Sequence, residues 1–237
     1  MFVLWRRPDQ ALEPVEGWLV DDLVPKLEGQ PDIVGCRVMV EAGEVTSSRP
    51  APATTSPHGR LCGAVSVWLA TYQDRDSIDD VMRSGPAHAW HAWLVTESVP
   101  LGYGDNRTWP LGTRSPGLSQ LTLFDKHPSI SEDRFYHLWH DVHRRTTAEV
   151  HPLWCYVRNE IVRPLTAGAP SARGIVYQSV ADPQDMLDPA RMFRSGGDDA
   201  RLRANTQRVV DETKAFIDYE TMQTVHMHEY LVRVVST

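Results

Sequence analysis

The chain has 237 residues, 41% hydrophobic and 23% charged, a make-up that fits a folded globular protein and excludes a disordered or membrane-embedded one. Its net charge of −7 offers no overall attraction for phosphate backbones or anionic lipid, so neither nucleic acid nor a membrane is an expected partner. Cys36, Cys62 and Cys155 are odd in number and lack C-x-x-C spacing, and the basic residues of 1–7 follow the apolar run instead of preceding it, so a reducing, cytoplasmic setting is expected.

Taken in chain order, the first half predicts a strand near 1–7, a helix near 10–28, and strands near 33–41 and 61–72. Between the last two, residues 47–59 are rich in Ser, Thr and Pro and read as a loop. A helix near 77–97, carrying His88 and His91 as interface or surface residues, and a strand near 107–113 complete this half. Residues 110–117 read as a linker. The second half predicts strands near 119–126, 153–163, 172–181 and 222–235. Its helices fall near 131–150 and 198–217, with a short helical piece at 184–194; Ser131 as a cap, followed by Phe135, Leu138 and Val142, carries the first of them.

The two halves repeat one another. Residues 1–8 lie over 121–128, each an apolar strand, two basic or imidazole residues and then proline. With one inserted residue, Trp18 matches Trp139 and Asp22 matches His143. The reading is an α+β chain of tandem ferredoxin-like βαββαβ repeats, 1–113 and 118–237, forming a dimeric α/β barrel closed within one polypeptide. A pocket is expected between the two facing sheets, lined by alternate strand residues and roofed by the first helix of each half.

At Lys126-x-Pro128, Phe135-x-x-x-Trp139-x-x-x-His143, Tyr156, Asn159 and Asp211-Glu212-x-x-x-Phe216-Ile217-Asp218, the second half resembles the EthD domain, a family of the dimeric α/β-barrel superfamily. The first half is similar to a degenerate copy, keeping Pro8 and Trp18 but placing Asp22 where the histidine would stand. The resemblance implies an accessory protein of a catabolic or polyketide cluster, or an enzyme working without an organic cofactor on an aromatic or polyketide substrate.

His143 is the first candidate for chemistry, because imidazole exchanges protons near neutral pH. His226, His228 and Tyr230 alternate along the last strand and share one face, where they could relay protons or bind substrate oxygens. Tyr156 and Asn159 differ by three and so fall on opposite faces of a regular strand. Trp139 offers a flat wall for an aromatic ring; Asp22 and Lys126 complete the expected binding set. His140 with His143, and His226 with His228, have permissive spacing for a metal, but no carboxylate has ligand spacing beside them, and no metal is expected. No nucleotide-binding or nucleophile-elbow motif is present, so no organic cofactor is expected.

The expected function is a cofactor-independent lyase, a decarboxylase or dehydratase, acting on an aromatic or polycyclic small molecule through His143, His226 and His228. An isomerase or cyclase, a ligand-binding accessory protein and a heme or metal protein stand as alternatives. Both a monomer and a homodimer stay open.

Overall fold

The computed structural model describes residues 1–43, 56–104 and 107–235. Eight strands alternate with helices: β1 (Phe2–Arg6), β2 (Ile33–Glu41), β3 (Arg60–Leu69), β4 (Ala89–Leu101), β5 (Leu118–Lys126), β6 (Cys155–Pro164), β7 (Gly174–Val180) and β8 (Ile217–Arg233). All neighbours are antiparallel, and they close a barrel in the order β1-β3-β2-β8-β5-β7-β6-β4. The order within each set of four is the same, β4-β1-β3-β2 and β8-β5-β7-β6. The sets are joined by β2 on β8 and β4 on β6. Closure leaves no sheet edge to pair with another chain. The expected loop at 47–59 falls largely outside the described residues; its last part, 56–59, is a tight turn in which Gly59 N–H donates to Ser56 O.

Period-two alternation decides what fills the barrel. Val3, Met39, Trp93, Leu121, Val157, Tyr177 and Met227, drawn from seven different strands, belong to one buried cluster, which is possible only on the inner face. Near one end Arg37 sits inside with its Nε 2.8 Å from Glu229 Oε1, while Tyr103 and Ser115 hydroxyls donate to Glu229 Oε2 at 2.6 and 2.9 Å. Among the described residues the barrel interior is therefore packed with side chains where a pocket between facing sheets was expected. The outer face carries the helices.

The first helix, 13–28, and its counterpart, 132–150, each contain a π-helical turn, Trp18–Leu23 and His137–His143. A π turn inserts one residue and so rotates everything after it. In the second helix the buried line consequently runs through Phe135, Trp139, Thr146, Thr147 and Val150, while Leu138 and Val142 are only half-buried. Trp139, expected as a flat wall for an aromatic ring, is in the core. Its ring stands 5.3 Å from both Phe124 and Phe135. It fits because position 174 is glycine: a Cβ there would lie 2.8 Å from Trp139 Cη2 and 2.6 Å from Phe124 Cζ. A Cβ at Gly85, in the turn before β4, would likewise lie 2.8 Å from Trp18 Cη2.

The expected helix at 77–97 is corrected to a short helix, Arg75–Arg83, followed by β4. Residues 107–113 form no strand, because β4 has already taken the position beside β1. His91 thus belongs to a strand, with its Nδ1 3.2 Å from Thr166 Oγ1 and its Nε2 3.2 Å from His58 Nδ1.

Candidate functional site

A cavity of about 940 Å³ lies between the outer face of β5, β7 and β8 and the helices of the second half. Its floor is built by Thr122, Phe124, Val176, Gln178, Thr224 and His226, the outward residues of those strands. The roof comes from the helix 132–150 through Trp139, His143, Thr147 and His151, and from the helix Asp199–Lys214 through Val209, Val210 and Thr213. Two short helical turns, Gln184–Leu187 and Pro189–Met192, close one side with Met186, Met192 and Phe193. In the first set of four strands the space under the helices holds the fully buried Leu19, Leu23, Leu27, Ile78 and Met82.

His143 reaches the cavity with little exposure, and its Nδ1 stands 3.3 Å from Glu212 Oε2. A carboxylate oxygen only accepts, so this contact holds the proton on Nδ1 and leaves the Nε2 lone pair for a ligand. Glu212 also accepts from the Thr146 hydroxyl at 2.7 Å, and Arg208 Nε lies 3.4 Å away. The hydrogen bond from His143 holds the Glu212 carboxyl below its usual range, with Thr146 adding to the effect against partial burial. Glu212 was visible in sequence only as part of the Asp211-Glu212 pattern; its partnership with His143 joins two helices and has no local signature.

His151 is the second residue that spacing did not mark. It follows the helix end, is 5% exposed, and its Nδ1 is 2.9 Å from Met192 O. Burial pushes the imidazole down to about 4. Tyr156 lines the same cavity, and burial raises its phenol to about 12 despite the nearby Arg158. His226 is present on the floor, and burial lowers its imidazole. At the rim, Glu41 accepts from Arg6 at 2.9 Å and from Arg60 at 2.5 Å, so two guanidinium groups share one carboxylate.

The structure thus brings His143, Trp139, Tyr156 and His226 to one cavity. The other expected residues lie elsewhere. His228 and Tyr230 share the outer face with His226, as alternation requires, but His228 is buried beside β2, opposite Val40, and Tyr230 packs against the core of the first set of strands. Asn159 points into the barrel, where its amide donates to Ile175 O at 3.2 Å. Asp22 is exposed on the first helix. Lys126 Nζ donates to Ile130 O at 2.5 Å and ties down the loop before the helix 132–150. His140 turns toward Glu160, 3.3 Å away, and so diverges from His143. Among the described residues no three His, Cys, Asp or Glu side chains gather as metal ligands, and no helix is long and apolar enough to cross a membrane.

The architecture is that of a solved crystal structure described as an anthrone oxidase-like protein, with a TM-score of 0.57 covering 100% of this chain and 93% of that one. Sequence identity is 11%, so the likeness is one of fold, an eight-stranded α+β barrel of the dimeric α/β-barrel type. No family model and no curated protein matches the sequence.

Proposed function

We propose that this chain is a cytoplasmic, cofactor-independent enzyme that acts on an aromatic or polycyclic small molecule in the cavity of its second half, as a lyase. Its two βαββαβ sets are read as fused ferredoxin-like repeats, 1–113 degenerate and 118–237 EthD-like; their equal strand order supports this. The observation that carries the proposal is the His143–Glu212 pair in the wall of a largely apolar cavity of about 940 Å³. Aromatic walls from Phe124, Trp139 and Phe216 suit a planar ring system. Such cavities take small molecules by apolar burial and use a few placed polar groups for orientation.

With its Nδ1 proton held by Glu212, His143 takes on Nε2 the proton of a substrate phenol hydroxyl or of a C–H beside the leaving group, and the carboxylate stabilises the imidazolium that forms. The imidazolium can then return the proton to the ring carbon that loses carbon dioxide, or to a hydroxyl that departs as water. The ring system accommodates the electron pair in between. General acid–base catalysis of this kind contributes about 10²–10⁴-fold. Tyr156 and His226 orient substrate oxygens. Asn159, Tyr230, His228, Asp22 and Lys126 carry no step in this scheme, since they do not line the cavity.

The neighbour's description favours a second reading, oxidation of an anthrone-like tricyclic ketone, for which the same base would remove the ring-methylene proton and dioxygen would accept the electrons. The two readings separate by mass. Aromatic carboxylic acids, phenols and anthrone are incubated with the protein and with His143→Gln, and products are weighed by mass spectrometry. Loss of carbon dioxide or water that depends on His143 supports the lyase; uptake of oxygen supports oxidation. An unchanged mass with altered retention indicates isomerisation. Full turnover by folded His143→Gln removes the histidine from the mechanism, and absence of turnover across the panel leaves a binding role.

A further inference from the structure

We propose that His151 is the subsite that accepts a hydroxyl group of the ligand, which makes the ligand a phenol or other hydroxylated polycyclic compound in preference to a plain aromatic hydrocarbon or ether. The proposal rests on the cavity being a small-molecule site, and it adds the chemical class. It does not require turnover.

The argument begins with the backbone. Met192 O can only accept, so the 2.9 Å contact fixes the proton of the His151 ring on Nδ1. Nε2 is then a lone-pair acceptor, with no hydrogen-bond partner among the described residues. The residue is 5% exposed and lines the cavity, with the Phe193 ring 5.2 Å from its own. Met186 and Met192 line the same side and supply no donor. An acceptor that faces such a cavity is met by a donor from the ligand or from water.

Several other polar groups of the cavity are engaged with one another, although Thr147 Oγ1 has no hydrogen-bond partner among the described residues. Gln178 Nε2 donates to Gln120 Oε1 at 3.0 Å, Thr122 and Thr224 hydroxyls are 3.0 Å apart, and Thr213 and Tyr219 hydroxyls 2.5 Å. His143 is held to Glu212 through Nδ1, and its Nε2 serves the proton transfer proposed above. His226 has no contact that fixes its tautomer among the described residues, so it serves as donor or acceptor alike. His151 alone among the lining imidazoles has a carbonyl fixing it as an acceptor. A carboxylate there would set lone pair against lone pair. A neutral hydroxyl satisfies the nitrogen without bringing a charge into the apolar space. Burial keeps the ring in its uncharged form at neutral pH, in agreement with an acceptor role. The charges of His143 and Arg194 also disfavour its protonation.

A site built around one hydrogen bond to a ligand hydroxyl discriminates against the analogue that lacks it. The probes are 1-naphthol and its methyl ether, 1-methoxynaphthalene, which share the ring and differ in the donor. Equilibrium dialysis with the full chain is expected to show 1-naphthol bound about fivefold or more tightly, the ratio for one net hydrogen bond. In His151→Phe the ratio is expected to fall to near one. Because that variant strands Met192 O, a second measurement uses the wild-type protein: with ¹⁵N-labelled histidine, the His151 Nε2 resonance should move upfield with 1-naphthol and stay in place with the ether. Equal affinities in the wild type, or a stationary Nε2 resonance with bound 1-naphthol, overturns the hydroxyl subsite and leaves the catalytic reading of His143 untouched. Failure of both probes to bind overturns both.

Discussion

Replacing Gly174 by alanine places a methyl group 2.6 Å from Phe124 Cζ and 2.8 Å from Trp139 Cη2. Carbon atoms at rest stand about 3.5–4.0 Å apart, so each ring must retreat by about 1 Å. Both are fully buried, and Trp139 is boxed in by Phe124 and Phe135 at 5.3 Å each. The direction that yields is the cavity. Overpacking of this kind costs about 1–3 kcal/mol, and in a chain of this length each kcal/mol lowers Tm by about 2–4 °C. A fall of about 2–12 °C is expected in thermal unfolding followed by circular dichroism, together with weaker binding of 1-naphthol as the rings enter its space. Gly85→Ala, which meets Trp18 at 2.8 Å, should lower Tm similarly and leave binding unchanged. An unchanged Tm with unchanged binding in Gly174→Ala would refute the packing of Trp139 on β7.

Arg37→Met leaves Glu229 buried without its guanidinium and should cost about 3–5 kcal/mol in urea unfolding; a double change with Glu229→Leu should recover much of that. If the single variant loses less than 1 kcal/mol, the ion pair is not closed off from water. Glu212→Gln exchanges a charged acceptor for a neutral one, a difference of about 1–1.5 kcal/mol, so the rate on any substrate that needs His143 should fall about five- to tenfold; a wild-type rate would detach Glu212 from the pair. His151 titrates at about 4 in the folded chain against an ordinary 6.5, so between these values the unfolded state binds more protons and stability falls as pH drops. The full effect is roughly 3 kcal/mol. Denaturant unfolding at pH 7 and pH 4.5 should show a larger loss for the wild type than for His151→Gln, and equal losses would count against a neutral His151.

Much of the fold was legible because its strands alternate cleanly. The run 33–41 and the Ser131 cap coincide with β2 and the start of the helix 132–150, and the overlay of Trp18 on Trp139 matches paired helices that both carry a π turn. The misread stretch was 89–101. It is rich in Ala and Trp, and both faces of β4 carry apolar side chains, Trp93 and Val95 inward, Ala92 and Leu94 outward, so period two is masked. The π turn is equally silent in sequence. His226, His228 and Tyr230 do share a face, but a face 17 residues long crosses from one helical layer to the other. Glu212 and His151 acquire their partners from residues 69 and 41 positions away, distances at which spacing carries no information.

The identical strand order of the two sets, with a cavity under one and packed leucines under the other, has a consequence for how such a site can change. In an assembly of two identical copies every substitution appears twice, and a leucine that closes one pocket closes its twin. Here the eight strands belong to one chain, so leucines packed under the first set leave the opening under the second untouched. Remodelling for a new ligand can therefore be confined to the outer faces of β5, β7 and β8.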